Sequence, residues 1–473
     1  MGIASHPLHA IAGLLRQDGS PPLYYLLLHV WMRMFGRSEF ATHALSLTFG
    51  LASIPVGFWA ARSLFGRRAG WYCAAVVAAA PFISYFSRET RMYTLVILLS
   101  LIVTTCYLHV FALRNRRWLP GLIASTTLLL YTHNWGLFLC LGLAVALIPS
   151  VLAASDRVQV LLEVGVWVGA VTALYAPWLP TLAFQTRHTG APWADTPALR
   201  EAYGALAVVF GDPKERVLIA LAVVGAPELF RVVRHWRSDV GRVAIALTII
   251  ATVTLSAAWV STRVQAGWAG RYFGVFLPPL VLFAAWALAR NRRVGPVVLI
   301  VVLFIWLQPL ARVIGTYDRP PLDEKSSDRV DALALGPLLS PGDLVVSAQM
   351  ERVPVLTYYM PPGLRYATPM GRVKDPGVVD WRHATHRMET ATVAKQLVPL
   401  LADVQLHQRV LVACSSPPDP AHKKGWFKIM DDRCSEWLAY MVNESSFVGV
   451  PTPALDLVRP GASRYEVVFE RRR

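Results

Sequence analysis

The sequence predicts a polytopic α-helical membrane protein with about ten transmembrane helices and a C-terminal α/β domain. Of its 473 residues, 55% are hydrophobic and only 16% are charged, whereas soluble domains carry roughly 25% charged residues. The apolar residues occur in blocks of about 18 to 25, the length that crosses a bilayer core as a helix. Arginine is concentrated in alternate loops between these blocks, a distribution that sets membrane orientation.

The net charge of +16 does not indicate a nucleic-acid partner. The basic residues lie in short loops between apolar blocks, and no aromatic-basic binding module accompanies them. Membrane lipids are therefore the expected surroundings of these arginines.

The predicted crossing blocks form a transmembrane core over residues 39–315. They cover residues 39–65, 69–86, 90–113, 117–133, 135–154, 158–184, 215–234, 242–262, 271–289 and 294–315. Their uniform length and near absence of internal charge are typical of membrane-spanning helices.

The loops between the blocks sort by charge. One set holds Arg67 and Arg68, then Arg114, Arg116 and Arg117, then Arg157, then Arg231, Arg234, Arg237 and Arg242, and finally Arg290, Arg292 and Arg293. By the positive-inside rule this set is cytoplasmic. The opposite loops, together with the tail, are therefore predicted to be extracytoplasmic in a bacterial cytoplasmic membrane.

Residues 1–38 are predicted to be the remnant of a first extracytoplasmic loop. Residues 21–36 are short and aromatic for a crossing, and this composition favours a helix lying in the membrane interface. Pro21 and Pro22 would begin it, since proline is tolerated in a first helical turn. Residue 1 is predicted to lie outside, and the start of the chain shows neither the basic n-region nor the apolar h-region of a signal peptide. A further helix is therefore expected upstream.

Residues 316–473 change character and predict an extracytoplasmic α/β domain that follows a polar linker. Three strand patterns, DLVVSA, RVLVAC and YEVVFE, alternate with three helix patterns, ERVPVLTYYM, TVAKQLVPLLADV and GWFKIMDDRCSEWLAYMV. No P-loop or dinucleotide fingerprint occurs among them. Cys414 and Cys434 could form a disulfide in an oxidising compartment, which their spacing leaves open.

Two outward turns carry residues of unusual chemistry. Residues 87–93 contain Arg88, Glu89 and Arg91, which either tie two helix ends together or bind an anionic headgroup, for which the planar guanidinium is suited. The turn of residues 131–135 contains His133, which is either a hydrogen-bonded helix-end residue or part of a site.

Two further outward positions complete the set. Arg271 opens the ninth crossing block and either reaches the lipid headgroups or joins a site. Asp18 is either a helix cap or one of few outward carboxylates able to act as a base. Because all these residues are predicted on one membrane face, their coincidence favours a common site.

Several segments, in this order, identify a family resemblance. SPPLYYLLLHVWMRMFG, APFISYFSRETRMYTL, LLYTHNWGLFL, APWLPTL and GRYFGVFLPPLVLF lie within roughly residues 14–290. They resemble the bacterial branch of the dolichyl-phosphate-mannose protein mannosyltransferase family, which includes aminoarabinose transferases acting on lipid A. Since several ordered segments agree, the resemblance is more specific than any single motif.

The resemblance implies a GT-C fold glycosyltransferase that moves a sugar from a polyprenyl-phosphate donor to a lipid, glycan or protein acceptor. In such a site a carboxylate removes the acceptor proton and cations stabilise the departing lipid phosphate. The candidates are Asp18 and Glu89 for acid-base chemistry, Arg88, Arg91 and Arg271 for the donor phosphate, and Tyr24, Tyr93, His133 and Tyr272 for substrate binding. Glu89, between two arginines, better suits an ionised organiser.

The sequence also departs from the family's pattern. The family places an acidic motif before the PPLYY segment that this chain does not contain, and Ser20 stands where some relatives carry a lysine that meets the lipid phosphate. A catalytically inactive relative that binds lipid-linked sugar or scaffolds envelope assembly therefore stays open. A transporter is less favoured, because the predicted midplane is nearly free of charge. Some relatives bind a divalent metal, although no ligand cluster here demands one.

Overall fold

The structure is a computed structural model that describes residues 1–194, 196–314, 328–414, 425–452 and 466–473, with residues 309–314 described by their backbone. The predicted polar linker and the boundary between the two predicted domains at residues 315 and 316 lie outside these ranges. The described part consists of a helical bundle followed by a sheet-containing domain.

Two helices precede the first predicted crossing block. The helix Leu8–Asp18 ends at Gly19, whose φ of 91° lies in the left-handed region that favours glycine. The second helix, Leu23–Phe35, begins after two prolines and occurs where the sequence predicts an interfacial helix. Its Leu23 N–H donates to the Tyr131 carbonyl at 2.9 Å, which attaches this segment to the bundle.

Every predicted crossing block contains a helix. In chain order the helices are Glu39–Phe65, Arg67–Ala79 with Pro81–Phe86, Tyr93–Tyr107 with Leu108–Ala112, Leu119–Leu130, Gly136–Ala153, Arg157–Tyr175 with Leu179–His188, Lys214–Arg234, Asp239–Ser261, Leu277–Arg290 and Val294–Ile314. Two short helices, Leu199–Gly204 and Ala207–Phe210, lie in the loop before the seventh block.

Within the described residues, five helices are long and apolar enough to cross a membrane. They are Glu39–Phe65, Tyr93–Ala112, Gly136–Ala153, Arg157–His188 and Asp239–Ser261. A water-soluble protein does not expose so many apolar helix faces to solvent, whereas lipid covers such faces in a membrane. The protein is therefore a helical membrane protein, which confirms the broad class that the sequence predicts.

The bundle packs around the helix Tyr93–Ala112, almost every residue of which is buried. Close approach between other helices depends on small residues, as is common in membrane bundles. A Cβ atom built on Gly142 would lie 2.6 Å from the Thr254 hydroxyl oxygen and 2.9 Å from the Ile250 carbonyl oxygen. The helices Gly136–Ala153 and Asp239–Ser261 therefore cross at a point where only glycine fits.

The arginine-rich turns meet at one end of the bundle. An Arg68 guanidinium nitrogen donates to the Arg292 carbonyl at 3.1 Å, which joins the first and last of these turns. Arg114 forms an ion pair with the buried Glu163 at 2.8 Å. The turns that the sequence assigns to one side thus lie together in space.

The C-terminal domain is built on a six-stranded mixed sheet. The strands are β1 (Leu344–Ser347), β2 (Arg365–Thr368), β3 (Gly371–Val373), β4 (Arg409–Ala413), β5 (Phe447–Val450) and β6 (Glu466–Arg471), in the order β3-β2-β1-β4-β6-β5. Strand β1 pairs in parallel with β2 and β4, and the other pairs are antiparallel. The helices are Asp328–Leu335, Val353–Tyr359, Ala384–Glu389, Val393–Ala402 and Gly425–Asn443.

All three predicted strands and all three predicted helices of this domain occur in the structure. The sequence missed β2, β3 and β5, which are three or four residues long and therefore carry little alternation. Cys414 and Cys434, whose Cα atoms lie 6.0 Å apart, are joined by a disulfide. This bond connects the end of β4 to the helix Gly425–Asn443.

The C-terminal domain contacts the bundle through main-chain hydrogen bonds. The Trp381 N–H donates to the Gln17 carbonyl at 3.0 Å, and the His383 N–H donates to the His188 carbonyl at 2.8 Å. These bonds join the domain to the first segment and to the loop after the sixth block. A cavity lies between the C-terminal domain, the first segment and the loop after the sixth block.

Candidate active site

A cavity of about 1120 Å³ lies at the end of the bundle opposite the arginine-rich turns. Its wall combines the first segment, the turns that begin the third and fifth blocks, the loop after residue 182, the segment of residues 261–272 and the C-terminal domain. A cavity of this size accommodates a sugar together with a phosphate group.

Seven of the nine predicted site residues line this cavity. They are Asp18, Glu89, Arg91, Tyr93, His133, Arg271 and Tyr272. The structure therefore brings together residues that are distributed over more than half of the chain. The sequence predicts such a common site because it places these residues on one membrane face.

The other two predicted site residues, Tyr24 and Arg88, lie outside the cavity lining. Tyr24 is buried and its hydroxyl shares a hydrogen bond with the Ser46 hydroxyl at 2.8 Å. Its neighbour Tyr25 lines the cavity instead, because consecutive helical residues point about 100° apart. Of the two exposed arginines in this turn, Arg91 lines the cavity and Arg88 does not.

Asp18 is a carboxyl group held at the end of the helix Leu8–Asp18. The Tyr25 hydroxyl donates to its Oδ2 atom at 3.3 Å. Burial raises the pKa of Asp18 above its ordinary value of 3.8, and hydrogen bonds from Ser20 and Tyr25 and the charge of Arg91 oppose this shift. A carboxylate with a raised pKa accepts a proton more readily than an ordinary aspartate, which suits a general base.

Arg91 and Arg271 are cations that form no ion pair with a carboxylate of the described residues. Neither guanidinium has an Asp or Glu oxygen within 4.0 Å among the residues that the structure describes. Arg91 donates to the Tyr93 hydroxyl at 3.2 Å. Arg271 lies 3.9 Å above the ring of Trp193, and its buried Nε atom has no hydrogen-bond partner in the described part of the chain. Arginines that line a cavity and form no ion pair with a described residue are suited to an anion.

A cluster of aromatic rings lies between the two arginines. The His133 ring lies 4.7 Å from that of Tyr272 and 6.2 Å from that of Tyr93. Burial and the positive charges of Arg91 and Arg271 lower the pKa of His133 to about 3, in a turn beyond the ends of the adjoining helices. His133 is therefore neutral and is not a third cation.

The neutral state of His133 defines which nitrogen carries its proton. The Trp135 N–H donates to the Nδ1 atom at 3.1 Å, so this atom is an acceptor. The proton consequently resides on Nε2, which is available to donate a hydrogen bond. Both the histidine and the arginines thus offer donors to an anionic ligand.

Sequence reasoning missed three cavity residues that contribute to this chemistry. Tyr25 could have been found by continuing the helical period past Tyr24. Trp193 lies in an outward loop without a motif, and Glu351 follows a strand of the C-terminal domain. No pattern near Glu351 connects it with Tyr272 and the other site residues, which lie 79 or more positions earlier in the chain.

A resident metal is not indicated by the described residues. Among them, no group of three or more His, Cys, Asp or Glu side chains is arranged to hold a metal ion. The cavity presents guanidinium, hydroxyl and imidazole groups, which suit anions and sugars, together with the carboxyl groups of Asp18, Glu89 and Glu351.

Residues 19–183 match the model of the dolichyl-phosphate-mannose-protein mannosyltransferase family. This match confirms the resemblance that the sequence predicts. It covers the helix Leu23–Phe35, the turn with Arg91 and the turn with His133, and it begins one residue after Asp18. No curated protein sequence is significantly similar to the chain.

Solved structures resemble the whole chain. The apo structure of ArnT from Cupriavidus metallidurans has 16% identity and a TM-score of 0.58, over 96% of this chain and 87% of that one. ArnT from the same organism bound to undecaprenyl phosphate has 14% identity and a TM-score of 0.57, over 96% and 88%. The arabinofuranosyltransferase AftD from Mycobacteria has 14% identity and a TM-score of 0.51, over 100% of this chain and 38% of that one.

These comparisons establish the fold. At 14 to 16% identity, a shared architecture does not by itself carry activity from one protein to another. The chain has the GT-C fold of these transferases, as the resemblance implies.

Proposed function

We propose that the protein is an integral membrane glycosyltransferase that moves a sugar from a polyprenyl-phosphate donor to an acceptor hydroxyl. The observation that carries this proposal is the pair Arg91 and Arg271, two cavity-facing cations without a carboxylate partner among the described residues. A carboxyl group, Asp18, lies in the same cavity. Phosphate binding and proton removal are the two requirements of this reaction.

The proposed reaction assigns each group a role. Asp18 accepts the proton of the acceptor hydroxyl while the acceptor oxygen bonds to the anomeric carbon of the donor sugar. The bond from that carbon to the phosphate oxygen breaks, and its electron pair leaves with polyprenyl phosphate. Arg91 and Arg271 stabilise the charge that grows on the phosphate, and His133 donates a hydrogen bond from Nε2.

The walls of the cavity also suit a lipid-linked donor. Leu137, Phe138 and Leu182 line it beside the polar residues, and the surrounding helices expose apolar side chains to the membrane. A polyprenyl chain can therefore lie along apolar surface while its phosphate meets the arginines. The ArnT structure bound to undecaprenyl phosphate supports this donor class.

The proposal extends to the arrangement in the membrane. Ten helices cross it within residues 39–315, the arginine-rich turns are cytoplasmic, and residues 1–38 and 316–473 are extracytoplasmic. The charge sorting supports this orientation. The disulfide between Cys414 and Cys434 supports it as well, since disulfides persist in oxidising compartments.

Transfer from defined donors tests the proposed activity. The full chain, purified into lipid nanodiscs, is mixed with a panel of synthetic polyprenyl-phosphate sugars and a bacterial envelope extract as acceptor source. Release of polyprenyl phosphate from at least one donor is expected. Binding of donors without release would instead favour an inactive relative, and the absence of both binding and release would refute the proposal.

Labelling of single cysteines tests the orientation. Cysteines introduced in the turn of residues 87–93 and in the turn of residues 114–117 are treated with a membrane-impermeant thiol reagent in intact cells. The first is expected to react and the second to react only after the cells are opened. The native Cys73 and Cys106 are buried and Cys140 lies within a helix, which limits background labelling. Equal reaction of both turns in intact cells would contradict the orientation.

A further inference from the structure

Glu351 brings a carboxyl group from the C-terminal domain into the cavity. It lies in the short turn Met350–Arg352 after strand β1 and lines the cavity together with Arg271. It is the side chain on the C-terminal domain, within the described residues, that adds an acidic group to the lining. No step of the proposed transfer uses it.

The position of Glu351 is fixed by its neighbour. Arg352 is buried and donates to Asp328 at 2.7 Å and to Glu466 at 2.7 Å, with Asp331 at 3.5 Å. A buried arginine held by three carboxylates cannot move without breaking several charged hydrogen bonds. The backbone of the turn is therefore held in place, and the direction of the adjoining side chain is largely predetermined.

One oxygen of Glu351 has no hydrogen-bond partner in the described part of the chain. Its Oε2 atom is enclosed and accepts no hydrogen bond from any residue that the structure describes. Burial raises the pKa of this carboxyl, and the charges of Arg352 and Arg271 oppose the shift. An enclosed carboxylate oxygen without a donor is unfavourable, so a ligand that supplies a hydroxyl or amine hydrogen would remove the penalty.

Glu351 and Arg271 line the same cavity, and the positive charge of Arg271 acts on the Glu351 carboxyl. If Arg271 binds the donor phosphate, the sugar attached to that phosphate lies within a few bond lengths of it. The hydroxyl groups of the sugar are then the nearest hydrogen-bond donors to Glu351. The acceptor, by contrast, must approach the anomeric carbon from the side away from the phosphate.

We propose that Glu351 binds hydroxyl or amine groups of the donor sugar and thereby gives the C-terminal domain a part in donor selection. This inference rests on the proposed function, because it takes Arg271 as a ligand of the lipid phosphate. Glu351 is a binding residue and not the general base. The transferred proton goes to Asp18.

Two ligands that differ by the sugar alone test this inference. Binding of polyprenyl phosphate and of polyprenyl-phosphate mannose, with other hexose and pentose donors in parallel, is measured on the full chain in nanodiscs. The variant Glu351→Gln preserves shape and removes the charge. Glu389→Gln is the matched control, because Glu389 is an exposed glutamate of the same domain outside the cavity lining.

Wild type is expected to bind one sugar-linked donor more tightly than polyprenyl phosphate. Glu351→Gln is expected to weaken binding of that donor by about tenfold, the size of one charged hydrogen bond, and to change binding of polyprenyl phosphate by less than about twofold. Glu389→Gln should change neither. If Glu351→Gln lowers the yield of folded protein, Glu351→Asp, which keeps the carboxyl and shortens the side chain, should show the same selective loss.

Three other results would overturn the inference, and a fourth would refute the proposed function. Equal loss of both ligands would show that Glu351 only supports Arg271, and unchanged binding of both would show that it has no role; either overturns the inference. A rise in KM for the acceptor alone would assign Glu351 to the acceptor and also overturns it. Failure of wild type to bind polyprenyl phosphate would instead refute the proposed function.

Discussion

Replacement of Arg91 by alanine removes a cavity-facing cation that no carboxylate neutralises among the described residues. A hydrogen bond between charged groups contributes about 1.5–3 kcal/mol net. Each 1.4 kcal/mol is about a factor of ten in affinity, so Arg91→Ala should weaken binding of polyprenyl phosphate by roughly 10- to 150-fold. Because phosphate charge grows during transfer, kcat/KM should fall by about 10² to 10³.

The assay compares three variants in nanodiscs of one lipid composition. Binding is followed by the fluorescence of the cavity tryptophans, and thermal unfolding is recorded for each variant to establish that the protein is folded. Arg91→Lys keeps the charge and loses the planar fork, so an intermediate effect is expected. Arg88→Ala removes an arginine of the same turn that is exposed outside the cavity lining, and it should stay within about threefold of wild type.

Comparison of the affinities of Arg91→Ala and Arg88→Ala tests whether the cavity is the phosphate site. If Arg91→Ala binds polyprenyl phosphate as well as wild type does, the cavity is not the phosphate site. If Arg88→Ala loses as much affinity as Arg91→Ala, the charge of the whole turn matters rather than the geometry that separates these side chains.

Two further predictions concern the charged residues Asp18 and Arg352. Asp18→Asn should lower the transfer rate by about 10² to 10⁴ with little change in binding of polyprenyl phosphate. In wild type the rate should fall as the pH drops through the raised pKa of Asp18, so the acid limb of the pH profile should lie above 3.8; a limb at or below this value would exclude Asp18 as the base. Arg352→Met should destabilise the C-terminal domain by about 3–5 kcal/mol, because Asp328 and Glu466 lose their buried partner. This is measured by thermal unfolding and limited proteolysis, and a melting temperature equal to that of wild type would contradict it.

The helical part was predictable because membrane thickness fixes the length of a crossing. Each apolar block therefore contains a helix, and the turns with Arg68 and Arg292 meet as the charge sorting requires. The same reasoning brought Asp18, His133 and Arg271 to one end of the bundle. Such predictions depend on segments and their order rather than on individual side-chain directions.

Side-chain directions and long-range partners could not be predicted in this way. Tyr24 and Tyr25 are neighbours in a PPLYY segment, and the angle between consecutive helical residues decides which of them faces the cavity. Arg88 and Arg91 differ in the same manner within one turn. Glu351 enters the cavity through the packing of a separate domain, for which local patterns contain no information.

The joint between the sheet domain and the bundle has an evolutionary consequence. Its hydrogen bonds from Trp381 to Gln17 and from His383 to His188 are made by peptide groups, and peptide groups are the same in every residue except proline. Substitutions that spare the side-chain contacts of this joint, such as those of His6 with Asp375 and of Arg329 with Glu39, can therefore accumulate on the surface that the domain turns toward the cavity without loosening its attachment. Under the proposed function, new carbohydrate preferences would arise there while the membrane helices with Arg91 and Arg271 stay unaltered.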